Sequence, residues 1–187
     1  MMADQLLKEI EAAGITDLSE KRSRVIKWVK GLFPGVEVVT TETLQQWMKE
    51  KPEEMIILDT RTSAEFDVSH LPGAILVPPE EDALLEFFKK QLAPGREEEG
   101  PSKPIICYCT VGYRSSMAAQ LLGSYFSRET GKTFMASPKI YNVCGGLVVW
   151  AVERRQMVDR QERPTSVVHP YSPTWAKLLE PEFRAEI

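Results

Sequence analysis

Little in this sequence points to a membrane, a nucleic acid or a metal. No apolar run approaches the roughly 20 residues of a membrane span. Lysine and arginine number 23 against 27 acidic residues, a formal net charge of −4. That balance argues against a nucleic-acid binder working through a basic surface. The two histidines, His70 and His169, are distant, and the three cysteines lack the spacing of a zinc site, so neither metal nor cofactor is expected. The opening Met1 to Glu9 lacks the basic-then-apolar order of a secretory signal and is too acidic for a transit peptide. A cytoplasmic protein with reduced thiols is the expectation. No internal repeat is visible.

What remains is an ordinary globular composition, 43% hydrophobic and 27% charged over 187 residues. The length allows one domain with a full core plus additions. Residues 1–35 read as an N-terminal helical extension. Leu6, Leu7, Ile10 and Ala13 form one apolar stripe stopped by Gly14; Val25, Ile26, Val29, Leu32 and Phe33 form a second, closed by Pro34-Gly35. Ser19 with Arg22 supplies half of a capping box for the second helix.

From residue 36 to about 160, short apolar runs alternate with helical patterns. Strands are expected at 36–39, 55–58, 74–77, 104–108 and 140–143. Helices are expected from Thr41 (its own cap) to Lys49, Thr62 to Phe66, Asp82 to Leu92, after Cys109, and Leu147 to Arg155. Residues 93–103 read as a polar, mobile loop. Continuous rather than alternating apolar runs imply an α/β fold whose parallel sheet is covered on both faces. Residues 161–187 read as an extended tail with a short helix near Trp175 to Leu179, packed on the domain.

The most informative run is Cys109-Thr110-Val111-Gly112-Tyr113-Arg114-Ser115. A buried strand precedes it. A helical stripe of Met117, Ala118, Leu121, Leu122, Tyr125 and Phe126 follows. A cysteine at this strand-to-helix turn faces unpartnered N–H groups and the positive end of a helix dipole, which favour a thiolate. Arg114 adds a full charge five residues on. Gly112, lacking Cβ, lets the backbone approach the sulfur.

Three stretches together resemble the single-domain rhodanese-like sulfurtransferases. Asp59-Thr60-Arg61 through Glu65-Phe66 to His70-Leu71-Pro72-Gly73-Ala74 matches an early signature. The Cys109 loop matches the family's Cys-x-x-Gly-x-Arg. Tyr141-Asn142-Val143-Cys144-Gly145-Gly146 with Trp150 matches a late one. The resemblance covers roughly residues 36–156. It implies a five-stranded, mainly parallel sheet between helices. It also implies that Cys109 accepts a sulfane sulfur from thiosulfate or a persulfide as its own persulfide. A small thiol, cyanide or protein thiol then takes that sulfur in a second half-reaction. Thr110, Val111, Gly112, Tyr113, Arg114 and Ser115 would bind substrate and persulfide, with Arg114 either gripping an anionic donor or bracing the loop. Asp59 and Arg61 would support the site as an ion pair or backbone brace. His70 would order a turn.

The sequence departs from the family at Thr110, at Ser69, which replaces the glycine usual before the histidine, and at Cys144, which replaces a residue that is usually not cysteine. Thr110 stands where an arginine often follows the cysteine, so one charge for an anionic donor is missing, and Thr110→Arg is expected to lower the KM for thiosulfate if that charge matters. Two other functions compete. A cysteine phosphatase or arsenate reductase spaces its cysteine and arginine by five residues rather than the four found here, in a loop large enough for phosphate. A non-catalytic interaction module is commonly without the cysteine, which is present here. Cys107 reads as core filler and Cys144 as a packing residue that could approach Cys109 along the sheet edge.

Overall fold

The computed structural model describes residues 2–92, 103–129 and 137–187. The two apolar stripes at the start become α1 (Met2–Ala12) and α2 (Leu18–Leu32). Asp17, not Ser19, caps α2: its carboxylate accepts the Glu20 N–H at 2.8 Å, meeting one of the unpaired amides of the first turn. The alternating part follows as β1 (Glu37–Val39), α3 (Thr41–Glu50), β2 (Ile56–Asp59), α4 (Ser63–Val68), β3 (Ile75–Leu76) and α5 (Glu81–Phe87). Next come β4 (Ile105–Tyr108), α6 (Tyr113–Glu129), β5 (Ile140–Val143) and α7 (Gly146–Val152). Thr40 caps α3 in place of Thr41, whose hydroxyl donates instead to Glu153 at 2.8 Å. The helix expected to run from Asp82 to Leu92 stops at Phe87 and continues as a π-helical turn, Phe88–Leu92. Of the loop expected at 93–103, all but its last residue lies outside the described residues.

The five strands form one parallel sheet in the order β1-β5-β4-β2-β3. The central strand β4 is buried along its whole length. Its side chains alternate between two cores, which is why its sequence is continuously apolar. Ile105 and Cys107 join Leu58, Leu122 and Phe126 on the α5–α6 face. Ile106 and Tyr108 face the other core with Val143, Leu147, Trp150 and the terminal segments.

A short antiparallel pair that the sequence pattern did not reveal, β6 (Met157–Val158) and β7 (Pro164–Thr165), follows α7. Val158 also exchanges backbone hydrogen bonds with His70 at 2.9 and 3.0 Å. The tail then returns across the molecule through α8 (Pro173–Ala176) and a 3₁₀ turn, Pro181–Phe183. Arg22 on α2 donates to the Leu178 carbonyl at 2.9 Å, and the Thr174 hydroxyl donates to Asp4 on α1. Leu178, Leu179 and Phe183 are buried in the same core as Leu7 and Ile10. Both ends of the chain therefore meet on one flank of the sheet. No described helix is long and apolar enough to cross a membrane.

Candidate active site

All five parallel strands end at one edge of the sheet, where the intervening loops gather. Cys109 leaves β4 at that edge and is 1% exposed. The turn from Cys109 to α6 is shaped from two directions. From below, the N-terminus of α7 supplies donors: Leu147 N–H reaches the Cys109 carbonyl at 2.9 Å and Val148 N–H the Thr110 carbonyl at 3.1 Å. These bonds tie down the loop's carbonyls. From within, the Gly112 N–H donates to Cys109 Sγ at 3.2 Å. Ser115 Oγ lies 3.4 Å from the same sulfur and 2.6 Å from Asn142 Oδ1. Its single proton can serve either acceptor, and the shorter bond is to Asn142.

Two glycines make this approach possible. Gly112 adopts φ +101°, and a Cβ there would sit 3.0 Å from Asn142 Nδ2. Gly146, at φ +61°, lies so close to the loop that a Cβ would fall 2.5 Å from the Thr110 carbonyl oxygen and 2.6 Å from that of Cys109. Any other residue at Gly146 would push α7 away and break the carbonyl contacts.

The Arg114 guanidinium lies near enough to Cys109 for their charges to interact, but its nitrogens are engaged within the protein. Its two terminal nitrogens meet both Glu65 oxygens, at 2.8 and 2.7 Å, and one also donates to Thr110 Oγ1 at 3.0 Å. Thr110 Oγ1 in turn donates to Glu65 at 3.1 Å. Burial alone would raise the Glu65 carboxyl. Hydrogen bonds and charge from Arg114, with the Thr62 amide, outweigh it and hold the group at about 2. Glu65 also completes a capping box with Thr62 at the start of α4. The Thr-x-x-Glu spacing of that box is a local signal that the sequence reading missed; the pairing of Glu65 with Arg114, 49 residues away, has none.

Asp59 and Arg61 form a second pair deeper in the fold, both fully buried. Arg61 Nε and Nη2 contact the two Asp59 oxygens at 2.9 and 2.6 Å, and Nη2 also holds the Ser69 carbonyl. The Tyr108 hydroxyl donates to Asp59 at 2.6 Å and accepts from Leu71 N–H at 3.1 Å. Burial and then the Asp59 charge push the Tyr108 phenol well above its ordinary value. This cluster fixes the ends of β2 and β4 and the 69–71 segment, and it does not line the cavity at Cys109. His70 is buried with its ring stacked on Phe66 and Nδ1 against the Phe66 carbonyl at 2.8 Å, so it closes the turn after α4.

The cavity at Cys109 has a volume of about 440 Å³. Its walls come from the loop (Thr110, Val111, Tyr113, Arg114), from Met2, Ala3 and Trp28 of the N-terminal helices, and from Tyr171 and Trp175 of the tail. Trp28 stacks on Tyr113 at 5.7 Å and tilts against Trp175 at 6.2 Å; Phe33 meets the Tyr113 edge at 5.4 Å. Tyr171 lies over the Arg114 guanidinium at 4.1 Å. Sequence reasoning placed none of these terminal aromatics at the site. Residues 28, 113 and 171 share no local pattern and meet only through the fold. Cys107 and Cys144 are not among the residues lining the cavity. Burial and then the neighbouring Cys109 push the Cys107 thiol up to about 12, leaving it an inert core group.

A parallel five-stranded sheet with a cysteine loop at its carboxyl edge is the rhodanese architecture. The rhodanese-like domain family model matches residues 40–153, and the chain belongs to that family. It is 30% identical over 122 residues to the adenylyltransferase and sulfurtransferase MOCS3 of Drosophila ananassae, covering 64% of this chain and 23% of that protein. It is 23% identical over 118 residues to the tRNA uridine(34) hydroxylase of Corynebacterium efficiens, covering 63% and 34%. The chain thus spans about a quarter to a third of the length of these relatives. Among solved structures, a thiosulfate sulfurtransferase from Pseudomonas aeruginosa superimposes with a TM-score of 0.52 at 21% identity, over 82% of this chain and 25% of that one. That likeness is one of fold.

Proposed function

We propose that this protein is a sulfurtransferase that carries a sulfane sulfur as a persulfide on Cys109. The observation that carries the reading is the loop's polarity. Amides of α7 take the Cys109 and Thr110 carbonyls, while the Gly112 N–H turns inward to the sulfur at 3.2 Å. A terminal persulfide is an anion, and an inward amide at the start of α6 stabilises it. The four-residue gap between Cys109 and Arg114 favours sulfur over phosphate. Arg114 acts as a brace, because Glu65 already engages both of its terminal nitrogens.

The reaction runs in two displacements. The Cys109 thiolate attacks the outer sulfur of a donor, and the donor's S–S bond breaks with its electron pair on the leaving group. A nucleophilic acceptor (cyanide, a small thiol or a protein thiol) then attacks the outer sulfur of the persulfide and restores the thiolate. Neither step consumes a cofactor. A reducing compartment such as the cytoplasm keeps the thiol available. Residues 36–160 form the sulfur-transfer domain in this reading, with 1–35 and 161–187 as additions to it.

Intact-mass measurement after incubation with thiosulfate or inorganic polysulfide tests the proposal. The native protein should gain one sulfur, and Cys109→Ser should gain none, with turnover reduced at least about a thousandfold. Absence of any gain with both donors overturns it in favour of a binding module. Turnover of an aryl phosphate would assign the loop to phosphatase chemistry instead.

A further inference from the structure

Small-molecule pockets typically hold a few hundred cubic ångströms, are mostly apolar, and carry a few placed polar groups. The cavity at Cys109 matches that description and opens onto the nucleophile. Its walls carry four aromatic rings: Trp28, Tyr113, Tyr171 and Trp175. Arg114 is the one charged side chain among the described residues lining it. That charge is matched internally, since Glu65 faces it with both oxygens and stays ionised through the physiological range. Tyr171 covers one face of the guanidinium. An inorganic dianion entering here would leave water for aromatic walls, meet an already balanced arginine and approach an anionic nucleophile. Desolvating such an ion without a partner is costly. An uncharged organic body would be favoured by the same walls.

We propose that this cavity takes the apolar body of a small organic persulfide, R–S–SH, in preference to inorganic thiosulfate, and that the two terminal segments confer this selectivity. The inference rests on Cys109 being the sulfur acceptor. With R in the aromatic cavity, the outer sulfur points at Cys109 Sγ. The thiolate forms a new S–S bond to that sulfur. The donor's own S–S bond breaks with its electron pair on the inner sulfur, and R–S⁻ departs. The proton stays on the transferred sulfur or passes to R–S⁻. Oxidation level is conserved, because the sulfane sulfur moves from one thiol to another, so no further oxidant or reductant enters.

Sulfur transfer to cyanide, with benzyl persulfide and thiosulfate compared as donors, tests this. Native protein should use benzyl persulfide with a kcat/KM at least about tenfold above that for thiosulfate, after subtraction of the uncatalysed rate. Tyr171→Asn removes a cavity wall while keeping a residue tolerant of the positive φ of 68° found there. It should lower that preference at least about fivefold, through KM for the organic donor. A second measurement needs no turnover. Benzyl methyl sulfide should bind Cys109→Ser saturably, read by tryptophan fluorescence, with a midpoint of about a millimolar or tighter. It should bind the double variant carrying Tyr171→Asn more weakly. A preference for thiosulfate that is equal in native and variant proteins overturns the inference and leaves sulfur transfer standing. So does absence of saturable sulfide binding. Failure of every donor to load Cys109 overturns both.

Discussion

The inner side of the Cys109 loop rests on charge and the outer side on aromatic rings. Inside, Glu65–Arg114 and Asp59–Arg61 are short-range ion pairs with 0–21% of each side chain exposed. Outside, Trp28, Tyr171 and Trp175 arrive from segments beyond the family-matched residues 40–153. Tyr171 is half exposed and touches the loop through one face of Arg114. The difference teaches where each property resides. The inner side sets the shape of the loop, and shape errors there cost stability. In the proposed reading the outer side governs what can approach the sulfur, and Tyr171, being half exposed, is the wall that can be changed at least cost in folding.

Substitutions can break this division. The largest effect is expected from Asp59→Asn, which leaves the fully buried Arg61 guanidinium without its counter-charge. Loss of one partner of such a pair costs about 3–5 kcal/mol, measurable by urea denaturation. A loss under about 1 kcal/mol would mean that the inner pairs do not hold the loop.

Glu65→Gln should cost less, about 2–3 kcal/mol, because Arg114 is partly exposed and can reach water. Its pH dependence sharpens the point. The Glu65 carboxyl is held at about 2, below its ordinary 4.5. The pair therefore stabilises the fold above the ordinary value and loses that contribution as pH falls toward 2. The stability gap between native protein and Glu65→Gln should be constant above about pH 5 and shrink below it. A gap that does not change with pH would show that ionisation of Glu65 is irrelevant.

Thr110→Arg addresses the boundary between the two sides. From sequence, this change lowers KM for thiosulfate if the missing charge matters. The surroundings of Thr110 favour the opposite sign, since it is buried with its hydroxyl between Glu65 and Arg114. A second guanidinium would compete for Glu65 and disturb the loop, so KM for thiosulfate should rise severalfold, on the order of 1 kcal/mol. A lowered KM would show that the added charge reaches the cavity after all.

Much of this was legible from local pattern. A continuously apolar β4, a glycine-containing turn and a helical stripe place Cys109 at a strand-to-helix junction, because the periodicities of strand and helix are written in neighbouring residues. The Thr62–Glu65 capping box is equally local in its spacing, yet it went unread. Cap assignments failed by one or two residues, at Thr41 and Ser19, because several polar side chains near a helix start can serve and only the backbone path selects one. The role of Gly146 was hidden, since its reason is the Thr110 carbonyl 36 positions earlier in the chain.

The sequence by itself determined the sheet, the order of its elements and the cysteine on its carboxyl edge. Each of these follows from spacing along the chain. Only the tertiary structure decided that Arg114 is spent on Glu65, and that Met2, Trp28, Tyr171 and Trp175 enclose the sulfur. Such contacts leave no periodic trace: Arg114 and Glu65 are 49 positions apart, and Thr174 and Asp4, which join the two chain ends, are 170 apart. They form because both chain ends bury apolar surface on the same flank of the sheet, a requirement of the whole fold rather than of any one segment.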